Sequence, residues 1–253
     1  MSGLVSTRFD NGALTVRLNR PEKRNALSRA LIADMAAAFT AWSGRSDVAV
    51  AVLTGAGTKA FASGGDLDEL NAITTEAQAV SFAAETRAAL DTIRRFPVPV
   101  IAVLNGDALG GGAELALACD LRIGFAHARI GFLQARLNIA TAWGGGTDLF
   151  QLVGPSRALD LLCTAPLLDA QRALAVGLLD AVAPADGDPA RFVAEYVQRF
   201  AGQKPQVMRA FKSLAIMHRF GAGPADKAAA EGANFALTWT HADHWAAVKA
   251  MGR

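Results

Sequence analysis

Asn105-Gly106-Asp107-Ala108-Leu109-Gly110-Gly111-Gly112-Ala113-Glu114-Leu115 puts three glycines and a carboxylate where an apolar strand gives way to a helix. The preceding run, Val98–Leu104, reads as a buried strand, and Leu115–Ala118 reads as helix interior. Glycines let bare backbone N–H groups approach a ligand, and a helix N-terminus adds positive potential. Glu114 falls within the first helical turn beyond them. Amides that stabilise an anion, beside a carboxylate that carries a proton, are the parts of enolate or oxyanion chemistry. Taken alone, the same pattern equally describes steric relief at a turn and an acid balancing a helix dipole. A second glycine turn, Phe61-Ala62-Ser63-Gly64-Gly65-Asp66, also follows a core strand. Two strand-end amides converging on one oxygen would form an oxyanion hole.

The elements that must position these turns alternate between strand and helix. Leu4–Phe9 and Ala13–Leu18 are expected strands joined by the hairpin signal Asp10-Asn11-Gly12. A polar loop over Asn19–Asn25 precedes Ser28, an N-cap for a helix running to about Trp42. Val48–Leu53 is a strand, Glu76–Phe96 a long helix stopped by Pro97, Pro99–Leu104 a strand and Leu121–Phe125 another. A further cluster, Trp143-Gly144-Gly145-Gly146-Thr147, opens more helices. From Pro189 the chain reads as helix after helix: 189–201, 205–218, and one from Pro224 to near the end. These spans imply an α/β core over residues 1–188 and a helical C-terminal region over 189–253.

Composition narrows the function class. The chain has 253 residues, 52% of them hydrophobic, which suffices for a sizeable core. A net charge of +2 without like-charge blocks does not suit an electrostatic nucleic-acid binder. Cys119 and Cys163 lie in apolar sequence without a CxxC, so two buried free thiols in a reducing compartment are expected. No apolar stretch has the length of a membrane span, and no signal-peptide pattern is visible, so a cytoplasmic location is expected. His241 and His244 are three residues apart, but the pair reads as a solvated helix surface, with no metal site.

Together these segments resemble the crotonase superfamily, the enoyl-CoA hydratase/isomerase family. Leu18-Asn19-Arg20-Pro21-Glu22-Lys23-Arg24-Asn25-Ala26-Leu27 is similar to that family's CoA-contacting loop, and 61–66 and 105–115, with Cys119-Asp120, to its two oxyanion turns. Gln171–Asp180 matches a further segment near the helical region. The resemblance implies a spiral of ββα turns with a helical trimerisation region, acyl-CoA thioester substrates, and trimers or dimers of trimers. It implies no separate cofactor, since coenzyme A is part of the substrate. Carried over, Gly65 and Gly111 N–H would hold the thioester oxygen and Glu114 would act as acid/base. Arg24 and Ala26 would lie near the CoA phosphates and adenine. Ala62, Ser63, Gly64, Asp66 and Leu67 would line the acyl-CoA channel, with Trp143 as a wall of the acyl pocket. Asp66 reads equally as a helix N-terminal residue, and Arg24 as a solvated loop cation. Lys212 reads either as a contact to the CoA phosphates of a neighbouring subunit or as an ordinary exposed lysine.

The chain departs from the hydratase pattern at one point. Hydratases carry a second glutamate beyond the segment matching Gly131-Phe132. Here Arg136 takes that position counting forward, and Gln134 counting back from Gly144–Gly146; no Asp or Glu occurs between Asp120 and Asp148. Two carboxylates divide the proton transfers of hydration naturally. With one, hydration requires Gln134 to position the water, while isomerisation, or decarboxylation of a methylmalonyl- or ethylmalonyl-type thioester, needs fewer groups. Ala142-Trp143-Gly144-Gly145 resembles a stretch of ethylmalonyl-CoA decarboxylase-like members; Arg136 or Arg129 reads either as the holder of a free carboxylate or as an exposed surface or subunit-interface cation, the latter being the favoured reading. A reading from another class is a catalytically weak crotonase-fold protein that binds RNA or a protein partner. The helix from Ser28 lacks the lysine-rich face that RNA-binding members use.

Overall fold

A computed structural model of the chain describes residues 3–252. Strands β1 (Val5–Asp10) and β2 (Ala13–Leu18) form an antiparallel hairpin. Its two loop residues, Asn11 and Gly12, both take positive φ, 46° and 80°. That geometry gives the tight turn the twist of its flanking strands and accounts for the Asn-Gly pair.

From β2 the sheet continues in parallel through β3 (Val50–Gly55), β5 (Val100–Leu104), β7 (Leu121–Gly124) and β10 (Ala181–Val182). Short strands β4 (Ala60–Ala62), β6 (Asp107–Leu109), β8 (Arg129–Gly131) and β9 (Leu168–Asp169) build a second, four-stranded sheet. Each pass therefore gives a long strand to the first sheet, a short one to the second, and then helix. After β4 come α2 (Leu67–Leu70) and α3 (Glu76–Arg94); after β6 comes α4 (Gly111–Ala118). This repeated ββα unit is the crotonase arrangement that the sequence motifs imply.

The central strands are buried on both faces, which is why they read as unbroken apolar runs. One face meets α1 (Arg29–Ser43), α3 and α4 through Leu31, Met35, Phe39, Leu90 and Leu115. On the other, Val50, Val52, Ile101, Val103 and Ile123 meet Val197 of α8 (Pro189–Ala201). Ser28 caps α1 by accepting from the Leu31 N–H at 3.2 Å, and Thr75 with Gln78 forms a capping box on α3.

Two buried asparagines fix the crossovers between the sheets. Asn105 Oδ1 accepts from Gly55 N–H at 2.9 Å, and its Nδ2 donates to Gly57 O at 2.8 Å. Asn25, wholly buried at φ 53°, donates from Nδ2 to Ala56 O and Ala60 O at 3.0 and 2.8 Å. Backbone groups at these strand ends lack ladder partners and find them in the side-chain amides.

The remaining elements are helical: α5 (Gly145–Val153), α6 (Pro155–Thr164), α7 (Ala170–Ala175), α9 (Pro205–Arg219), α10 (Pro224–Trp239) and α11 (Ala242–Ala250). The expected single helix from Pro224 is thus two. Thr240 ends the first, and His241 starts the second by accepting from the Asp243 N–H at 3.2 Å. Cys163 also departs from expectation, being exposed. In α6 the inward positions are Ala158 and Leu161, and Cys163, two residues further, turns to the opposite face. Cys119 is buried, and desolvation pushes its thiol up to about 12. Among the described residues no helix is long and apolar enough to cross a membrane.

Candidate active site

Pairing of β4 with β6 brings the two glycine turns together. At Gly64, φ is 101°, and a Cβ would lie 3.0 Å from Leu109 O and 3.5 Å from Gly111 N. Gly110, at φ 52°, donates its N–H to Gly131 O at 2.8 Å, tying the second turn to β8. Close approach explains the other two glycines of the trio. A Cβ on Gly112 would stand 2.0 Å from Ala62 O, and one on Gly111 would stand 2.0 Å from Cζ3 of Trp143. Among the described residues, neither the Gly65 nor the Gly111 N–H has a hydrogen-bond acceptor. A free N–H at the first residue of α4 is a helix-end donor left for an incoming oxygen.

Glu114 sits one turn into α4, 2% exposed. Its two oxygens are in different surroundings. Oε2 accepts from the backbone N–H groups of Trp143 and Gly145 at 2.9 and 3.0 Å. Oε1 accepts from the Gln134 side-chain amide, at 2.9 Å. Burial pushes the carboxyl above the usual carboxylate range, and hydrogen bonds from the backbone of Gly145, Trp143 and Ala142 and from the Gln134 side chain offset that in part.

The 142–146 cluster is what shapes this cradle. Gly144 takes φ 94°, and a Cβ at Gly145 would fall 2.4 Å from Glu114 Cγ. Trp143 is buried, with its ring over Gly111 and edge-on to Phe82 at 6.0 Å between centroids. Behind it, buried Arg94 donates to Trp143 O at 2.8 Å and to Asp148 at 3.0 and 2.9 Å. Arg94 and Asp148 have no signature in the sequence reading. An arginine near the end of a helix reads as a dipole partner, and only the packing of α3 against the 142–148 segment gives it this role.

The other named residues fall into two groups. Leu27 N–H donates to Gly64 O at 2.8 Å and Ser63 N–H to Arg24 O at 3.2 Å, so the 20–27 loop lies along the first glycine turn. Arg24 is half-exposed and donates to Asp107 at 3.1 Å. The Ala26 carbonyl accepts from Arg20, and Leu67 is exposed on the adjoining rim. Asp66, by contrast, uses both oxygens within the fold. It caps α2 through the Asp68 N–H at 3.1 Å and is ion-paired to Arg20, whose hydrogen bond holds the carboxyl below its usual range.

Of the two residues matched to the second glutamate, the structure brings Gln134 to Glu114. Arg136 is exposed and donates from Nε to Ala165 O at 2.9 Å. Arg129 gives its guanidinium to Asp107, at 3.0 and 2.6 Å. Lys212 is not the exposed lysine expected. It is 3% exposed and ion-paired with Asp120 beneath α9, where burial lowers its pKa.

The chain has counterparts of like sequence and fold among known proteins. The sequence model described as Enoyl-CoA hydratase/isomerase matches residues 8–250. Mitochondrial methylglutaconyl-CoA hydratase of Homo sapiens is 35% identical over 210 residues, covering 82% of this chain and 61% of that protein, so the chain spans less than two thirds of its length. Ethylmalonyl-CoA decarboxylase of Bos taurus is 29% identical over 213 residues, covering 83% of this chain and 69% of that protein. The crystal structure of enoyl-CoA hydratase from Bacillus anthracis superposes with a TM-score of 0.90 at 30% identity, covering 98% of this chain and 96% of that one. With the family model matching nearly the whole chain and the fold superposing on that of an enoyl-CoA hydratase, the chain belongs to the enoyl-CoA hydratase/isomerase family.

Proposed function

We propose that this protein acts on acyl-CoA thioesters through a thioester enolate. The Gly65 and Gly111 N–H groups hold the thioester oxygen, and Glu114 exchanges the proton on the carbon next to the carbonyl. The observation that carries the reading is the asymmetry of Glu114. A carboxyl with Oε2 held by the Trp143 and Gly145 N–H groups and Oε1 met by the Gln134 amide presents Oε1 as the proton-carrying atom, beside N–H groups that lack acceptors among the described residues. Negative charge developing on the thioester oxygen meets donors already in place, so no reorganisation opposes it. Burial sets the carboxyl closer to the pKa at which a group both takes and returns a proton.

Incubation of butyryl-CoA with the enzyme in D2O tests this. Deuterium should enter at the α-carbon and nowhere else, and Glu114→Gln should abolish the exchange. No exchange with butyryl-, crotonyl- or 3-enoyl-CoA would refute the proposal. In the decarboxylase alternative, Arg129 or Arg136 would hold the free carboxylate. Arg129 and Arg136 are engaged elsewhere, so enolate protonation without decarboxylation is the better supported reading.

The same reading includes self-association. Phe211, Phe235, Leu237, Trp239 and Trp245 of the C-terminal helices are between 46% and 64% exposed, an apolar surface beyond what a monomer ordinarily leaves in water. Sedimentation should give a trimer or a dimer of trimers.

A further inference from the structure

The end of α4 remote from the glycine turn is held from a distant part of the chain. All eight residues of this helix are buried, its last turn carries no basic side chain, and Cys119 follows it in extended backbone rather than a left-handed glycine cap. The last carbonyls of a buried helix have no partner within it and need donors from the fold. Arg219 of α9 supplies them. Its Nη1 donates to Ala118 O at 2.9 Å, and its Nη2 donates to Leu117 O at 2.8 Å and Cys119 O at 3.3 Å. The same guanidinium faces a second element of the site. Its Nε lies 3.5 Å from Asp148 Oδ1, while Asp148 Oδ2 accepts from Arg94, which also donates to the Trp143 carbonyl. Two turns earlier on the same face of α9 stands Lys212, whose side chain bonds to Asp120 alone among the described residues.

We propose that Arg219 is a positioning residue for the proton transfer: from the far end of α4 it sets where the Gly111 N–H and the Glu114 carboxyl stand relative to the Gly65 N–H. The inference rests on the enolate reading above and adds to it a residue that touches no reacting atom. A helix of this length is a stiff rod about 12 Å long, so a shift at Leu117–Cys119 reappears at Gly111. Gly65 lies on the other glycine turn and does not travel with α4. The two N–H groups therefore meet one oxygen only while α4 keeps its height. A planar guanidinium with donors in a fixed fork defines that height at three carbonyls at once. The ammonium of a lysine is a point charge on a flexible stem and does not. Either cation offsets the negative end of the helix dipole, so charge and geometry are separable here. The approach of Nε to Asp148 also fixes α4 against the 142–148 segment, whose Trp143 and Gly145 N–H groups hold Glu114 Oε2. The C-terminal helices thus act on the chemistry through α9, without a side chain that reaches the substrate.

The test compares Arg219→Met, Arg219→Lys and Lys212→Gln. Each weakens a buried contact and should lower the melting temperature, so rates are read well below melting. Arg219→Met should exchange the α-proton of butyryl-CoA about 100-fold more slowly, the scale of a catalytic group displaced by about 1 Å. Its KM should stay within about threefold of wild type, because the oxygen draws on the N–H pair more as an enolate than as a thioester. A second readout needs no turnover. Acetoacetyl-CoA ionises to an enolate that absorbs in the ultraviolet, and the pH of half-ionisation of the bound ligand should rise by about two units in Arg219→Met, the same 100-fold read as a proton equilibrium. Arg219→Lys keeps the charge and should retain a loss of at least about tenfold, which carries the test if Arg219→Met does not fold. Lys212→Gln should lose stability alone, with exchange and half-ionisation as in the wild type. Wild-type exchange in Arg219→Met, or full recovery of both readouts in Arg219→Lys, would overturn the proposal. So would equal losses in Arg219→Met and Lys212→Gln, which would leave Arg219 one prop among others on α9. A wild type that neither exchanges the proton nor binds acetoacetyl-CoA as its enolate would instead sink the enolate reading.

Discussion

Gly111→Ala probes whether the site depends on the packing of Trp143 as well as on the presence of the Gly111 N–H. Gly111 does not have a positive φ, so alanine is free to adopt its backbone and retains the amide. The new methyl would stand 2.0 Å from Cζ3, 2.4 Å from Cη2 and 2.9 Å from Cε3 of Trp143. Ordinary contact begins at 3.4 Å, so the ring must retreat by about 1.4 Å. Three attachments oppose that. The Trp143 N–H is held by Glu114, its carbonyl by Arg94, and its ring abuts Phe82. Overpacking of this kind costs about 1–3 kcal/mol of stability. Displacing Trp143 also drags the donor on Glu114 Oε2, and misplacement of a catalytic group by about 1 Å costs about 100-fold in rate.

The expected result is a folded Gly111→Ala enzyme with a lower melting temperature and α-proton exchange reduced about 100-fold. Trp143→Leu should make room for the methyl. The double variant should then recover part of both losses, with a coupling of about 0.5–3 kcal/mol in the double-mutant cycle. Wild-type exchange and stability in Gly111→Ala, or strictly additive effects of the two substitutions, would refute the packing argument.

Three further outcomes follow from the same contacts. Glu114→Gln should lose about 100- to 10,000-fold in exchange rate, yet gain in relative stability as pH rises. The folded-state pKa of Glu114 is raised, so the folded protein holds a proton that the unfolded chain has released. Wild-type stability therefore falls from the ordinary carboxylate range up through that raised pKa, and the variant escapes the penalty. A melting-temperature difference that stays flat or shrinks across this window would contradict the assignment. Arg94→Met leaves Asp148 buried, with Arg219 Nε at 3.5 Å as its remaining cation, and should cost about 3–5 kcal/mol in denaturant unfolding. Thiol titration of the native protein should count one fast cysteine, Cys163, and release Cys119 only on unfolding.

Much of the fold is legible because its signals are local. The Asn11-Gly12 turn, the Ser28 cap and the apolar runs of β3 and β5 each follow from a few neighbouring residues. The split between α10 and α11 is not legible, because Thr240 and His241 continue a helical composition and only the cap geometry of His241 ends it. Cys163 misleads for a related reason, since an apolar neighbourhood in sequence says nothing about which face of α6 it occupies.

At the site, the sequence determines the parts: glycines where only glycine fits, a carboxylate in the first turn of α4, and no second acid between Asp120 and Asp148. Two anchors in the sequence place either Gln134 or Arg136 opposite Glu114, because a short loop defeats counting. The tertiary structure decides for Gln134, since the short helical segment Leu133–Leu137 turns that side chain inward and leaves Arg136 outside. It also gives the two oxygens of Glu114 different surroundings, through N–H groups of Trp143 and Gly145 some thirty residues further along the chain. Residue type is a property of the chain, whereas a pKa and a free lone pair arise from desolvation and donors that only the folded surroundings supply.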